Sequence, residues 1–164
     1  MSLPRILLYP DPILKQRSVP ITPGDPTIAA VIDEMLAALE ASPGVALAAP
    51  QIGHLVQIIV VDVARKKGEQ GHGRVLLCNP RIVRMEGPKL VREGCLSVPD
   101  YTGNVLRHDE ATVEGLTPDG ARVTIEAKGF EALAFQHEVD HLEGRLFLDR
   151  IQSLSTDLFR RKSR

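Results

Sequence analysis

The chain of 164 residues contains no tryptophan, and aromatic residues make up only 4% of it. It therefore lacks an obvious stacking platform for nucleobases or sugars. It has no excess of basic residues either, since its formal net charge is −1. This balance argues against a general nucleic-acid binder, and we expect no DNA partner. No apolar run is long enough to span a membrane, so no membrane partner is expected.

The first residues do not read as a secretory signal or a transit peptide, because Pro10 and Pro12 interrupt a short apolar stretch. A cytoplasmic location is therefore predicted. In that compartment Cys78 and Cys95 are expected to be thiols rather than a disulfide. Cys78 lies in an apolar run and should be buried. The length suits one domain with a hydrophobic core, which is predicted to cover residues 1–164.

Apolar residues at helical spacing predict an α-helix over residues 27–41 and another from about 130 to 143, with Gly144 just after its end. A short C-terminal helix is expected within 151–164. Apolar, β-branched runs predict four strands, at 57–64, 75–85, 111–116 and 122–125. The last two flank Thr117-Pro118-Asp119-Gly120, a typical hairpin turn. The strands do not alternate with helices, so we predict an α+β fold of mostly antiparallel sheets.

The most informative motif is His137-Glu138-Val139-Asp140-His141, inside the second predicted helix. Side chains four residues apart share one helix face, so both imidazoles can bind one metal ion. Glu138 is then placed to move a proton. This pattern is typical of metal-dependent hydrolases. We therefore expect the sheets to pack around a central helix that carries the motif, with one helix N-terminal to it and a short one C-terminal.

A catalytic metal of this kind requires a third protein ligand and one open position for water. Downstream, the third histidine of the metzincin proteases would fall on Phe147, and Asp149 and Asp157 are weak substitutes. Upstream, Cys95 lies in Glu93–Ser97 and would be a strong ligand as a thiolate. A third ligand downstream of His141 would indicate a small zincin-type metalloprotease. Cys95 as the third ligand would indicate a different class of enzyme.

Three ordered motifs resemble those of the peptide deformylases: GVALAAPQ at 44–51, EGCLS at 93–97 and QHEVDH at 136–141. The likeness runs from about Ile6 to Asp149. It implies a single catalytic domain that removes the N-formyl group from the N-terminal methionine of newly made polypeptides. The products would be formate and a free amino terminus. N-formylmethionyl nascent peptides would then be the partners.

The resemblance also implies roles for individual residues. One divalent metal, with Fe²⁺ favoured and Zn²⁺, Ni²⁺ or Co²⁺ as substitutes, would be held by Cys95, His137 and His141. Glu138 would act as general base and acid, while Gln51 and the backbone N–H of Leu96 would stabilise the oxyanion. Glu93 would pair with Arg107. The implied substrate-binding residues are Gly44, Val45, Ala46, Leu133 and Ala134.

Two positions depart from the family pattern. Ala46 stands where the first motif has its second glycine, and Thr102 stands where many bacterial members have an arginine that helps hold the peptide. These departures leave open a deformylase-like protein that only binds peptide N-termini. The basic run 160–164 is read as a solvated tail or, alternatively, as a contact with the ribosome through phosphate attraction.

Overall fold

The computed structural model describes residues 3–162 of the chain. Its helices are α1 (Pro26–Glu40), α2 (Gly129–Leu142) and the single turn α3 (Leu154–Asp157). Its strands are β1 (Ala46–Ala48), β2 (Ile58–Val61), β3 (Val75–Cys95), β4 (Val98–Leu116), β5 (Arg122–Lys128) and β6 (Leu158–Arg160). Short 3₁₀ turns lie at Pro12–Lys15, Ala49–Ile52, Val63–Arg65 and Phe147–Arg150.

The strands form one antiparallel sheet in the order β1-β2-β3-β4-β5, and β6 pairs with β4. Its largest part is the long β3–β4 hairpin, which turns between Cys95 and Val98. The hairpin predicted around Thr117–Gly120 is confirmed, since Leu116 pairs with Arg122 across that turn. The predicted α+β class and antiparallel pairing are confirmed.

Strand β2 is buried on both faces, which explains its continuous apolar sequence. Ile59 and Val61 pack in one cluster with Phe135 of α2, whereas Ile58 and Val60 pack in a second cluster. That second cluster also holds three residues from α1 and β3, namely Met35, Leu39 and Cys78. The sheet is thus held between α1 and α2, and Cys78 is fully buried as predicted.

Both predicted long helices are present, with boundaries that differ by one residue. Asp25 caps α1 by accepting a hydrogen bond from the Thr27 backbone N–H at 2.9 Å, and Pro26 fills the first helical position. After α2, Gly144 has φ +76°, as predicted for that position. A Cβ atom on Gly144 would lie 2.6 Å from the carbonyl oxygen of Lys15, so only glycine fits there.

Two regions differ from the sequence-based prediction. The stretch from 86 to 110 belongs to the β3–β4 hairpin, and the sequence pattern does not predict this stretch as strand, because it contains Gly87 and Pro88 and because residues 83–90 are all exposed and show no alternation. The C-terminal helix is one turn only, and the expectation of a helix beyond Asp157 is wrong. The chain continues as β6, with Thr102 paired to Phe159 and the Arg92 guanidinium stacked 3.6 Å from the Phe159 ring.

Within residues 3–162, none of the helices is long and apolar enough to cross a membrane.

Candidate metal centre

Two imidazoles of α2 and the thiol of Cys95 meet at one point. The Nε2 atoms of His137 and His141 lie 3.2 Å apart, and Sγ of Cys95 lies 3.4 Å from Nε2 of His141. All three ligand atoms are within 4.8 Å of one another. Tetrahedral coordination at ordinary bond lengths sets about 3.4 Å between two nitrogens and about 3.6 Å between nitrogen and sulfur. The donor atoms therefore lie close to the spacing that one metal ion requires.

Regular elements place each of these ligands. The four-residue separation puts His137 and His141 on one face of α2, with ring centroids 4.9 Å apart. Cys95 is the last residue of β3, where the chain turns toward Val98 at the start of β4. Because α2 packs against β4 and β3, the turn of the hairpin comes to lie over the helix. The four-residue spacing within α2 brings the two histidines together, whereas the fold of the β3–β4 hairpin brings the sulfur of Cys95 to them.

A buried ionic network holds the His137 ring in place. Glu93 shares a hydrogen bond with Nδ1 of His137 and accepts two from Arg107, at 2.9 and 2.7 Å. Arg107 also donates to Asp140 of α2 at 2.7 Å, and Arg150 donates to that same carboxylate. The predicted pair of Glu93 and Arg107 is confirmed. Since Nδ1 of His137 is bonded to a carboxylate, its Nε2 is left for a metal.

The electrostatics of this network favour a bound cation. Burial opposes charge on His137, but the negative charges of Cys95 and Glu93 prevail and raise the pKa of its imidazole. Burial and the positive charge of His137 lower the pKa of His141, which keeps that ring neutral. Burial also opposes charge on Glu93, yet His137 and Arg107 hold its pKa down to about 2. The negative charges of Cys95 and Glu93, which here stabilise a proton on His137, can stabilise a divalent metal that replaces this proton.

Glu138 lies beside the ligand cluster without belonging to it. Its Oε2 atom is 3.9 Å from Nε2 of His137. Its Oε1 atom is buried and has no hydrogen-bond partner among residues 3–162. Burial raises the pKa of Glu138 to about 7, with the charge of His137 acting in the opposite direction. A buried carboxylate oxygen without a partner is costly unless water or a ligand satisfies it. Glu138 is therefore available as a proton acceptor at this point.

The side chain of Gln51 is held against the cysteine by two contacts. Its Oε1 accepts a hydrogen bond from the backbone N–H of Ala48 at 3.0 Å, which fixes the orientation of the amide. Its Nε2 then donates to Ser97 Oγ at 3.1 Å and lies 3.7 Å from Cys95 Sγ. Gln51 is 1% exposed, and the amide N–H groups face the ligand cluster.

A cavity of about 620 Å³ opens onto this cluster. Gly44 lines it and packs closely on Leu96, because a Cβ atom at Gly44 would lie 2.8 Å from the Leu96 side chain. The structure thus brings to one cavity all the residues for which the resemblance implied a catalytic or substrate-binding role, and two of the three implied metal ligands; His141 and Arg107 do not line it. Those that line the cavity are Gly44, Val45, Ala46, Gln51, Cys95, Leu96, Leu133, Ala134, His137 and Glu138.

Sequence reasoning missed several residues around the site. Asp140 sits inside the helical motif, but its link to Arg107 and Arg150 depends on the fold. Ser97 is the last residue of the EGCLS motif, but no role was predicted for it; it is fully buried and accepts a hydrogen bond from Gln51. Arg161 was read as part of a solvated tail, whereas its side chain lines the cavity. A pairing of distant strands creates this contact, and no local pattern reveals it.

A His₂Cys cluster that opens to a cavity, beside a glutamate with one free carboxylate oxygen, is the arrangement of a metal-dependent hydrolase. The family model for polypeptide deformylase matches residues 3–157. The chain belongs to the peptide deformylase family, and it is a hydrolase that removes formyl groups.

Relatives and solved structures agree with this family. The chain is 44% identical to a peptide deformylase of Syntrophobacter fumaroxidans over 162 residues, which cover 99% of this chain and 94% of the relative. It is 43% identical to that of Halothermothrix orenii over 148 residues, covering 90% and 93%. The crystal structure of a peptide deformylase from Legionella pneumophila matches at a TM-score of 0.85 and 35% identity, covering 93% of this chain and 88% of that one. The structure from Thermotoga maritima matches at 0.83 and 34%, covering 93% and 100%.

Proposed function

We propose that this protein removes the N-formyl group from the N-terminal methionine of newly made polypeptides, giving formate and a free amino terminus. The observation that carries the proposal is the convergence of three ligand atoms within 4.8 Å beside the unpaired oxygen of Glu138. Nascent chains are made in the cytoplasm, and we propose that the protein acts there.

Cys95, His137 and His141 would hold one divalent metal. When bound, the metal supplies a Lewis acid that activates water and polarises the formyl carbonyl. Thiolate and imidazole ligands accept Fe²⁺, Zn²⁺, Ni²⁺ and Co²⁺, and we propose Fe²⁺ as the native ion. Elemental analysis of anaerobically purified protein tests this assignment. Zinc at one equivalent with no iron would contradict it.

Glu138 would perform the proton transfers of the reaction. Its free Oε1 takes the proton of the attacking water and then delivers it to the leaving amine. A pKa near 7 suits both steps, because a group that titrates near the working pH can give and accept a proton. The buried surroundings of Glu138 supply this shift.

Gln51 and the backbone N–H of Leu96 would stabilise the negative oxygen that develops on the formyl carbon. The amide of Gln51 is already oriented by the backbone N–H of Ala48, with its N–H groups beside Cys95. Gln51→Ala is expected to lower kcat by about 10²-fold, the low end for an oxyanion donor, because the other donors remain. Formate release at saturating substrate measures this. An unchanged kcat would remove Gln51 from the oxyanion site.

The peptide would bind as an extended strand along Gly44–Ala46, with the methionine side chain in the apolar part of the cavity near Val45, Leu133 and Ala134. The formylated N-terminus of the peptide carries no charge. Its binding in the apolar part of the cavity therefore does not require the removal of water from an ion. Ala46 is 9% exposed and lines the same cavity, so its methyl group narrows this strand site without filling it.

Formate release from formyl-Met-Ala-Ser by the Fe²⁺-loaded protein, assayed beside casein cleavage, tests the function against its alternatives. We expect formate without proteolysis. A zincin protease would take its third metal ligand from a residue downstream of His141. Of those positions, Phe147 is fully buried in the core and Asp149 is paired with Lys15. Metal binding without formate release would instead favour a protein that only binds peptide termini.

We also propose that the end of the chain contacts the ribosome. Lys162 is exposed, whereas Arg160 belongs to β6 and Arg161 faces the cavity; Ser163 and Arg164 lie outside the described residues. Deleting residues 162–164 removes the side-chain charges of Lys162 and Arg164. We expect weaker, less salt-dependent binding to ribosomes in sedimentation assays and unchanged hydrolysis of formyl peptides. Ribosome binding equal to that of the full chain would refute the contact.

A further inference from the structure

The cavity beside the metal ligands carries positive charge at its rim. Three cationic side chains line it, those of Lys66, Arg92 and Arg161, and all three residues are exposed. None of them forms a salt bridge with any residue in the range 3–162. The rim therefore has cations for which the rest of the described chain supplies no anion.

The two carboxylates of the cavity are committed elsewhere. Glu93 is neutralised by Arg107 and His137, with hydrogen bonds that use both of its oxygens. Glu138 is buried and required for proton transfer. Neither carboxylate can neutralise the three cations at the rim, so an anion that enters the cavity meets uncompensated positive charge.

Among the three cations, Arg161 has the least engaged head group. The Arg92 guanidinium stacks on the Phe159 ring and donates to Asn104 at 3.3 Å. The Lys66 ammonium lies over the Phe130 ring, 4.2 Å from its centroid. Arg161 has no comparable side-chain partner among residues 3–162, so its guanidinium can use its paired donors on a ligand.

The backbone around Arg161 is nevertheless fixed. Its N–H donates to the carbonyl oxygen of Asp100 at 2.7 Å, and the preceding residue pairs with Tyr101 in the sheet. The side chain then lies over Gly94, whose added Cβ would be 2.6 Å from Nη2 of Arg161. Gly94 precedes the metal ligand Cys95, and adjacent Cα atoms are about 3.8 Å apart. The guanidinium is thus held within reach of a peptide bound at the metal.

We infer that Arg161 binds a carboxylate of the substrate, located at the second or third residue after the formyl group. An extended peptide advances about 3.3 Å per residue, so only the first few residues beyond the methionine can reach this rim. Their anionic groups are acidic side chains or, in a very short peptide, the terminal carboxylate. This inference rests on the proposed function, because it assigns specificity to the same site.

The test compares matched formyl peptides with the Fe²⁺-loaded protein at low ionic strength. Formyl-Met-Ala-Glu-amide and formyl-Met-Glu-Ala-amide are each set against the glutamine analogue, and formyl-Met-Ala-Ser against its amide. We expect kcat/KM to favour one or more anionic peptides about three- to fivefold, through KM and not kcat, with the preference reduced at high salt. A preference within the Glu/Gln pairs would show that Arg161 binds a side-chain carboxylate. A preference for formyl-Met-Ala-Ser over its amide would show that it binds the terminal carboxylate.

Arg161→Gln should abolish the preference, and Arg160→Gln should keep it, because Arg160 is an exposed neighbour that does not line the cavity. Equal kcat/KM for every anionic and neutral pair in the unmodified protein, or a preference that survives Arg161→Gln, would overturn the inference.

A binding measurement separates this inference from the chemistry. Calorimetry with the same peptides on Glu138→Gln, with and without Arg161→Gln, reports the preference in the absence of turnover. A preserved binding preference, together with no formate release from the unmodified Fe²⁺-loaded protein, would contradict only the proposed function. Normal formate release with no preference in either measurement would contradict only the role of Arg161.

Discussion

Glu138→Gln is expected to lower kcat by about 10²–10⁴-fold while the protein still binds one metal ion per chain. Glutamine keeps the size of the side chain but cannot accept the proton of the attacking water. We expect no loss of metal, because Glu138 lies outside the group of Cys95, His137 and His141 whose ligand atoms can meet at one metal ion. Formate release and metal content, measured on the same preparation, test both halves of this expectation.

Glu143→Gln is the matched control for that change. Glu143 caps the C-terminal end of the same helix, is exposed, and does not line the cavity. Its replacement should leave kcat within about twofold, since an exposed side chain away from the site has little influence. If Glu138→Gln loses its metal together with its activity, Glu138 is a ligand and the proposed proton transfer is wrong. If Glu138→Gln retains full activity, Glu138 has no role in the reaction.

Arg107→Met is expected to lower the free energy of unfolding by about 3–5 kcal/mol. Arg107 is 2% exposed and stands between Glu93 and Asp140, so its removal leaves two buried carboxylates without their central cation. The loss should also loosen His137, which Glu93 orients, and weaken metal affinity by about 10–100-fold. Urea unfolding of the metal-free protein isolates the first effect, and metal titration measures the second.

Arg150→Met provides the comparison, because Arg150 donates to the same Asp140 carboxylate but its side chain is 36% exposed. Solvent replaces much of what an exposed ion pair contributes, so we expect a loss of about 1 kcal/mol or less. A smaller loss for Arg107→Met than for Arg150→Met would show that the network does not depend on its buried arginine.

The parts of the site that depend on local spacing could be predicted from sequence. His137 and His141 follow from a helix with ligands four residues apart, and Gly144 marks the end of that helix. Cys95 could only be a candidate, because its approach to the histidines depends on how the β3–β4 hairpin packs on α2. The family resemblance supplied that link.

Long-range pairing explains what the sequence did not reveal. In the outer part of the β3–β4 hairpin, residues 83–90 of β3 are all exposed and include Gly87 and Pro88, so the pattern resembles a loop. Phe159 and Arg161 lie in a basic tail whose place is set by pairing with Thr102 and Asp100. Such contacts join segments about 60 residues apart, and local propensity carries no information about them.

X-ray absorption at the metal edge of the Fe²⁺-loaded protein tests the central claim most directly. We predict that the bound metal has one sulfur ligand and two imidazole nitrogen ligands, and that its remaining ligands are light atoms of exchangeable solvent. The sulfur should disappear in Cys95→Ser. A site with no sulfur, or one in which a fourth protein side chain replaces the solvent ligand, would contradict the account.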